Sequence, residues 1–178
     1  EIISALFGYG SFDEESAINS GKALYYFALG LPAFSLIKVF SSFFFANHDT
    51  KIPFYISLFS VLINIVISIS YSSEIGFIII PIATTISSWL NAILLFVFLK
   101  NRDLFSFNDI FLVRFVKIII ASLLMAIFFN FLIIYFKYEL SFNQNIKSFY
   151  LILSVVLSLL FYLLVSYWIK AFKTSDIK

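Results

Sequence analysis

The chain has 178 residues, of which 62% are hydrophobic and 12% charged, with a net charge of +2 and no cysteine. Soluble domains carry about 25% charged residues, so this composition excludes a water-solvated globule and fits one solvated by lipid. The absence of cysteine excludes disulfides and thiolate chemistry, the single histidine excludes a histidine metal site, and the small charge without basic clusters excludes a nucleic-acid partner.

In chain order, Glu1–Tyr9 reads as the end of an apolar helix with no basic leader before it, so a truncated N-terminus is expected. Five apolar runs follow at 24–45, 52–71, 76–99, 115–136 and 149–169, each near the roughly 20 residues that cross a bilayer as a helix. Polar hinges separate them: His48–Lys51, Ser72–Glu74, Lys100–Asp103, and Tyr138 through Lys147. The runs do not alternate as barrel strands do. The expected class is all-α integral membrane. The expected division is 1–100 as one helical lobe, 101–113 as a linker with an interfacial segment at 105–113, and 114–178 as a two-helix tail.

Lys and Arg in alternate loops set orientation. One side holds Lys51, Lys100, Arg102, Arg114, Lys117, Lys170, Lys173 and Lys178; the other holds Lys22, Lys137 and Lys147 beside Asp13, Glu14, Glu15, Glu74 and Glu139. Eight against three places the C-terminus in the cytoplasm of a bacterial inner membrane.

Within the spans, Lys38 stands out, about eight residues from the nearest hinge, roughly 12 Å along a helix. Either it lines a hydrated cavity and meets an anionic headgroup, or its stem snorkels to the surface. Gly30 and Pro32 predict a kink in the same helix that frees backbone carbonyls. Asn64 and Ser68 share one helix face, and Thr84, Thr85, Ser87, Ser88 and Asn91 line the next span. Such residues join helices by close packing and hydrogen bonds; the sharper reading is a monovalent-cation site from Asn64, Ser68 and Thr84. Asp49 and Thr50 before Pro53 fit a helix N-terminus. No catalytic constellation, phosphate loop or pair of intramembrane carboxylates is present, so neither an enzyme nor a resident cofactor is expected.

These residues carry a resemblance. LFGYGSFDEESA followed by ALYYFALGLPAFSLIKVFSSFFFANHDTKIP resembles the C-terminal lobe of the MurJ (MviN) lipid II flippases, of the multidrug/oligosaccharidyl-lipid/polysaccharide exporter superfamily. Phe7, Gly10 and Phe12 fit a helix-ending phrase F-x-x-G-x-F; Gly30, Leu31, Lys38, Val39, Phe44, Asp49, Thr50 and Pro53 fit the helix and loop that follow; Asn64 and Asn91 fit the next two helices. The match covers about residues 5–100, with Asn47 and His48 departing from a common arginine, and Lys51-Ile52 from the usual residues before the proline. The resemblance implies the C-terminal lobe of a polytopic exporter bundle, with five full transmembrane helices and the end of a sixth, whose N-terminal lobe completes the protein. It implies alternating-access transfer of lipid II to the periplasmic leaflet. Lys38 is then a cavity residue, Gly30, Pro32, Asp49, Thr50 and Pro53 shape a hinge or gate, and the last two helices form a groove for the prenyl tail. Rival readings are another exporter of the superfamily (a polysaccharide-lipid flippase or a drug/cation antiporter), a non-transporting structural membrane protein, or a membrane transferase.

Overall fold

The computed structural model describes residues 2–7, 13–102, 109–141, 144 and 146–171, which form helices and turns with no strand among them. The order is α1 (Ile2–Phe7), α2 (Glu14–Ala46), α3 (Lys51–Ile75), a 3-10 turn (Gly76–Ile78), α4 (Ile79–Asn101), α5 (Asp109–Tyr135) and α6 (Lys147–Trp168). Two compact units result, one of residues 19–106 and one of 1–18 with 107–178.

The first full helix starts ten residues earlier than hydropathy suggests. Asp13 caps it: its carboxylate accepts the backbone N–H of Ser16 at 2.8 Å, and Glu14 and Glu15 sit in the first turn, where the helix dipole favours negative charge. Hydrogen bonding from Ser16, its hydroxyl first and this backbone N–H second, holds the Asp13 carboxyl below its ordinary range. The helix then runs unbroken through Pro32 to Ala46. It ends in a Schellman motif, with His48 N–H donating to the Phe45 carbonyl and Asp49 N–H to that of Phe44, both at 3.0 Å. His48 takes the left-handed conformation this requires, at φ 57°.

Four unbroken helical stretches are long and apolar enough to cross a membrane among the described residues, which corrects the expected five: Glu14–Ala46, Lys51–Asn101, Leu112–Tyr135 and Lys147–Trp168. The count falls because the 3-10 turn joins α3 to α4 without a non-helical residue between them. A straight rod of the 51 residues in the second stretch would measure roughly 75 Å, over twice the hydrocarbon thickness. Instead it folds back. Asn64 meets Thr84 and Ser87, while Ser57 meets Asn91, the register of an antiparallel hairpin pivoting near residue 75. The expected break at Ser72–Glu74 is helical, and the reversal comes at Gly76, whose φ of 71° and ψ of −151° suit only glycine.

In the 19–106 unit, α2 packs on this hairpin around Phe40, Phe44, Ile56, Leu95 and Leu99. In the other unit, α5 and α6 form a second antiparallel hairpin. Phe128 stacks on Phe161 at 4.5 Å, and Phe136 meets Tyr150 at 5.1 Å. Small residues bring these helices together: Ala121, Ser154 and Ser158 are fully buried, and Ser166 nearly so. Their outer faces are broadly apolar and exposed, as lipid contact demands. Of the expected interfacial segment at 105–113, residues 105–108 lie outside the described residues, and from Asp109 the chain is already α5. Gly10 and Phe12 also lie outside them.

Candidate functional site

Polar chemistry in the 19–106 unit concentrates where α2, α3 and α4 face one another. On α2, Gly30 lets the backbone approach α4: a Cβ built there would lie 3.1 Å from Thr85 Oγ1. The approach is used. Thr85 Oγ1 donates to the Tyr26 carbonyl at 2.6 Å, and Trp89 Nε1 donates to the Leu29 carbonyl at 3.1 Å. Both acceptors lie within one turn of the Gly30–Pro32 step, where a glycine gives access to the backbone and a proline lacks the N–H that would bond the Ala28 carbonyl.

Between α3 and α4, Asn64 Nδ2 donates to Thr84 Oγ1 at 3.2 Å and to Ser87 Oγ at 3.1 Å, and Asn91 Nδ2 donates to Ser57 Oγ at 3.3 Å. Among the described residues of this unit, two buried oxygens have no hydrogen-bond partner, Ser68 Oγ and Asn91 Oδ1. A half-open groove of about 390 Å³ lies along the seam, with Phe34 and Ile37 on the α2 side and serine, threonine and asparagine side chains on the hairpin side.

At the end of the hairpin distant from Gly76, Asp49 performs two tasks. Its Oδ1 accepts the backbone N–H groups of Lys51 and Ile52, at 3.1 and 3.3 Å, capping α3, while Oδ2 pairs with Arg102 Nη1 at 2.7 Å just past α4. The Ile52 N–H is the largest of the influences that hold the Asp49 carboxyl below its ordinary range; Arg102 and the Lys51 N–H add to it, and partial desolvation opposes them. Thr50, the residue immediately before α3, makes no side-chain cap, and Pro53 is buried in the first turn.

Of the residues singled out from sequence, the structure therefore brings Asn64 and Thr84 into contact, and Asp49 and Pro53 into one helix start. Ser68 lies one turn along α3 from Asn64 and makes no contact with Thr84 through its hydroxyl. Lys38 is exposed on α2, one residue past groove-lining Ile37, while Pro32 is exposed on the same helix. Sequence reading missed the partners: Arg102 for Asp49, Thr85 and Trp89 for the α2 carbonyls, and Ser57 for Asn91. A signal for the first existed in the opposite charges at two loops assigned to one side of the membrane.

A family model described as lipid II flippase MurJ matches residues 1–151, a span that includes all of the 19–106 unit. A relative named probable lipid II flippase MurJ, from Rhizobium meliloti (strain 1021), is 35% identical over 125 residues, covering 70% of this chain and 23% of the relative. Another of that name from Rickettsia prowazekii (strain Madrid E) is 38% identical over 95 residues, or 53% of this chain and 19% of the relative. The lipid II flippase MurJ of Burkholderia cenocepacia is 27% identical over 125 residues, or 70% and 24%. The chain thus spans about a quarter of the length of the curated relatives it matches. With the apolar helices that make it a multi-pass membrane protein, the match over most of its length places this chain in the lipid II flippase MurJ family.

Proposed function

We propose that this chain is the C-terminal part of a transporter, not an enzyme, that carries lipid II from the cytoplasmic to the periplasmic leaflet of a bacterial inner membrane. The observation that carries this reading is the family match over residues 1–151. The chemistry is compatible. Moving a pyrophosphate-linked sugar headgroup needs polar groups sheltered from hydrocarbon, and the α2–α3–α4 seam carries serine, threonine and asparagine side chains within an otherwise apolar helical unit. The undecaprenyl tail stays in lipid, along the apolar faces of α5 and α6.

Lys38 is assigned to the substrate cavity, where an exposed ammonium within a span offers charge to the pyrophosphate. Gly30 and Pro32 form the hinge. Asp49, Thr50 and Pro53 shape the cytoplasmic gate, with the C-terminus on that side. The remaining lobe of the protein completes the cavity, and alternating access comes from movement of the lobes. Asn64, Ser68 and Thr84 are assigned a coupling monovalent cation, with a carboxylate ligand from the rest of the protein; the buried, partnerless Ser68 Oγ is the feature that asks for it.

The test is lipid II translocation by the full-length protein in proteoliposomes. Wild type is expected to expose lipid II on the far leaflet, and Lys38→Met to slow this at least ten-fold. Absence of translocation by wild type overturns the transport reading, and an unchanged Lys38→Met rate removes Lys38 from the cavity. Sodium that alters neither stability nor rate retires the cation site.

A further inference from the structure

The two halves of α2 are held to the hairpin by different chemistry. Beyond Pro32, Phe40 and Phe44 are buried in a core with Ile56, Leu95 and Leu99, and the Phe40 ring lies 5.7 Å from that of Phe96. Before Pro32, no residue from 19 to 29 is buried. That half is joined to α4 by the close approach at Gly30, the Thr85 Oγ1 bond to the Tyr26 carbonyl and the Trp89 Nε1 bond to the Leu29 carbonyl. Apolar side chains interlocked in a core part only with the loss of all their contacts, whereas a hydrogen bond between membrane helices is weak and can be remade. The acceptors lose little on parting, since the Tyr26 and Leu29 carbonyls keep the N–H groups of Gly30 and Ala33 in their own helix. The Thr85 hydroxyl has an alternative too. Its own helix offers the Pro81 carbonyl four residues back, as the Ile80 carbonyl already serves Thr84 at 2.8 Å.

We infer that Thr85 and Trp89 are positioning residues that latch the half of α2 before Pro32 to α4. Their release lets that half swing about Pro32 while the half beyond stays with the hairpin. This role rests on the transport reading and on the hinge assigned to Gly30 and Pro32. Pro32 supplies the joint, because it has no N–H for the Ala28 carbonyl and one rung of the helix ladder is missing between the halves. In the charge-derived orientation the latched half, which carries Lys22, lies on the periplasmic side. Its movement therefore opens the unit toward the periplasm and leaves the other end, where Asp49 pairs with Arg102, closed. Neither Thr85 nor Trp89 lines the polar groove, so the latch acts apart from the residues assigned to the cation.

The experiment measures spin-label distances in the full-length protein in nanodiscs, with any other cysteines replaced. One label pair, Lys22→Cys with Ser73→Cys, joins the latched half to the turn end of the hairpin. The other, Asn47→Cys with Asn101→Cys, reports on the opposite end. Thr85→Val and Trp89→Phe are each expected to raise the longer-distance population of the first pair about three-fold, and together about nine-fold, with the second pair unchanged. Thr85→Ser, which keeps the hydroxyl, retains the wild-type distribution. Adding Pro32→Ala, which supplies the missing N–H, suppresses the longer population even in the double variant and slows lipid II translocation. A first pair unchanged in the double variant, a longer population that persists with Pro32→Ala, or translocation that Pro32→Ala does not slow overturns the inference while the transport reading stands. So does equal broadening of both pairs, which marks loosened packing throughout the unit. Wild type that moves no lipid II overturns the transport reading, and with it the role of the latch in export, whatever the distances show.

Discussion

His48 and Lys170 hold the same unusual position at the ends of two helices. Each follows its helix by two residues, with φ of 57° and 53°, and each supplies an N–H to a Schellman motif: Lys170 N–H reaches the Tyr167 carbonyl at 3.1 Å and Ala171 N–H that of Ser166 at 2.9 Å. A side chain with a Cβ is strained there, by about 1–2 kcal/mol, where glycine is not. Glycine returns part of that advantage through its greater freedom in the unfolded chain. His48→Gly and Lys170→Gly are therefore expected to stabilise the folded protein by about 0.5–1 kcal/mol each, read as a higher midpoint in thermal unfolding in detergent. Neither motif was legible in the sequence, because the glycine that usually marks such an end is missing from both.

Asp49 gives a prediction of the opposite kind, one that depends on pH. Its carboxyl titrates below the ordinary 3.8 in the folded protein, the Ile52 N–H being the first cause, so folding favours the ionised form. Its contribution is complete above 3.8, where the unfolded carboxyl is also ionised, and is lost as pH falls through the lower folded value. Acid unfolding of Asp49→Asn should therefore show a weaker dependence on pH below ~4 than wild type. At neutral pH, Asp49→Ala should destabilise more than Arg102→Gln, since only the first removes the α3 cap as well as the ion pair. Equal effects would mean that the ion pair alone matters.

Between elements, the α2–α4 contact rests on a few atoms. Gly30→Leu places a side chain where a Cβ already lies 3.1 Å from Thr85 Oγ1 and 3.3 Å from Phe34, so it should cost about 1–3 kcal/mol by overpacking. Thr85→Val keeps the volume and removes only the bond to the Tyr26 carbonyl. That carbonyl retains its own helix partner, so the loss should be near the ~0.6 kcal/mol typical of hydrogen bonds between membrane helices. A Thr85→Val effect as large as that of Gly30→Leu would show that the bond, not the close approach, joins the helices. Gly30 and Pro32 were visible in the sequence as an interruption in a helix. Their partners were not, because a threonine and a tryptophan in an apolar run carry no mark of which neighbour they face. The reversal was misplaced for a related reason: Ser72, Ser73 and Glu74 look like a loop by polarity, yet backbone geometry puts the turn at Gly76.

For the whole molecule, hydropathy read the class correctly because it depends only on composition and length, and the helical stretches follow from the same quantities. Sidedness is a different property, set by charge. The structure adds one constraint: the α3–α4 hairpin puts Asp49 and Arg102 in contact at one end, with Gly76 at the other. Residues 49 and 102 must therefore share a side, and the turn must face the opposite one. Because these 178 residues hold no cysteine, each single substitution places the one thiol within them. In intact cells, a membrane-impermeant maleimide should label Glu74→Cys and Glu139→Cys but not Lys51→Cys, Arg102→Cys or Lys178→Cys. Permeabilisation should expose the last three. Labelling of Lys178→Cys from outside would refute the charge-derived orientation while leaving the hairpin intact, whereas opposite behaviour of residues 51 and 102 would refute the hairpin itself.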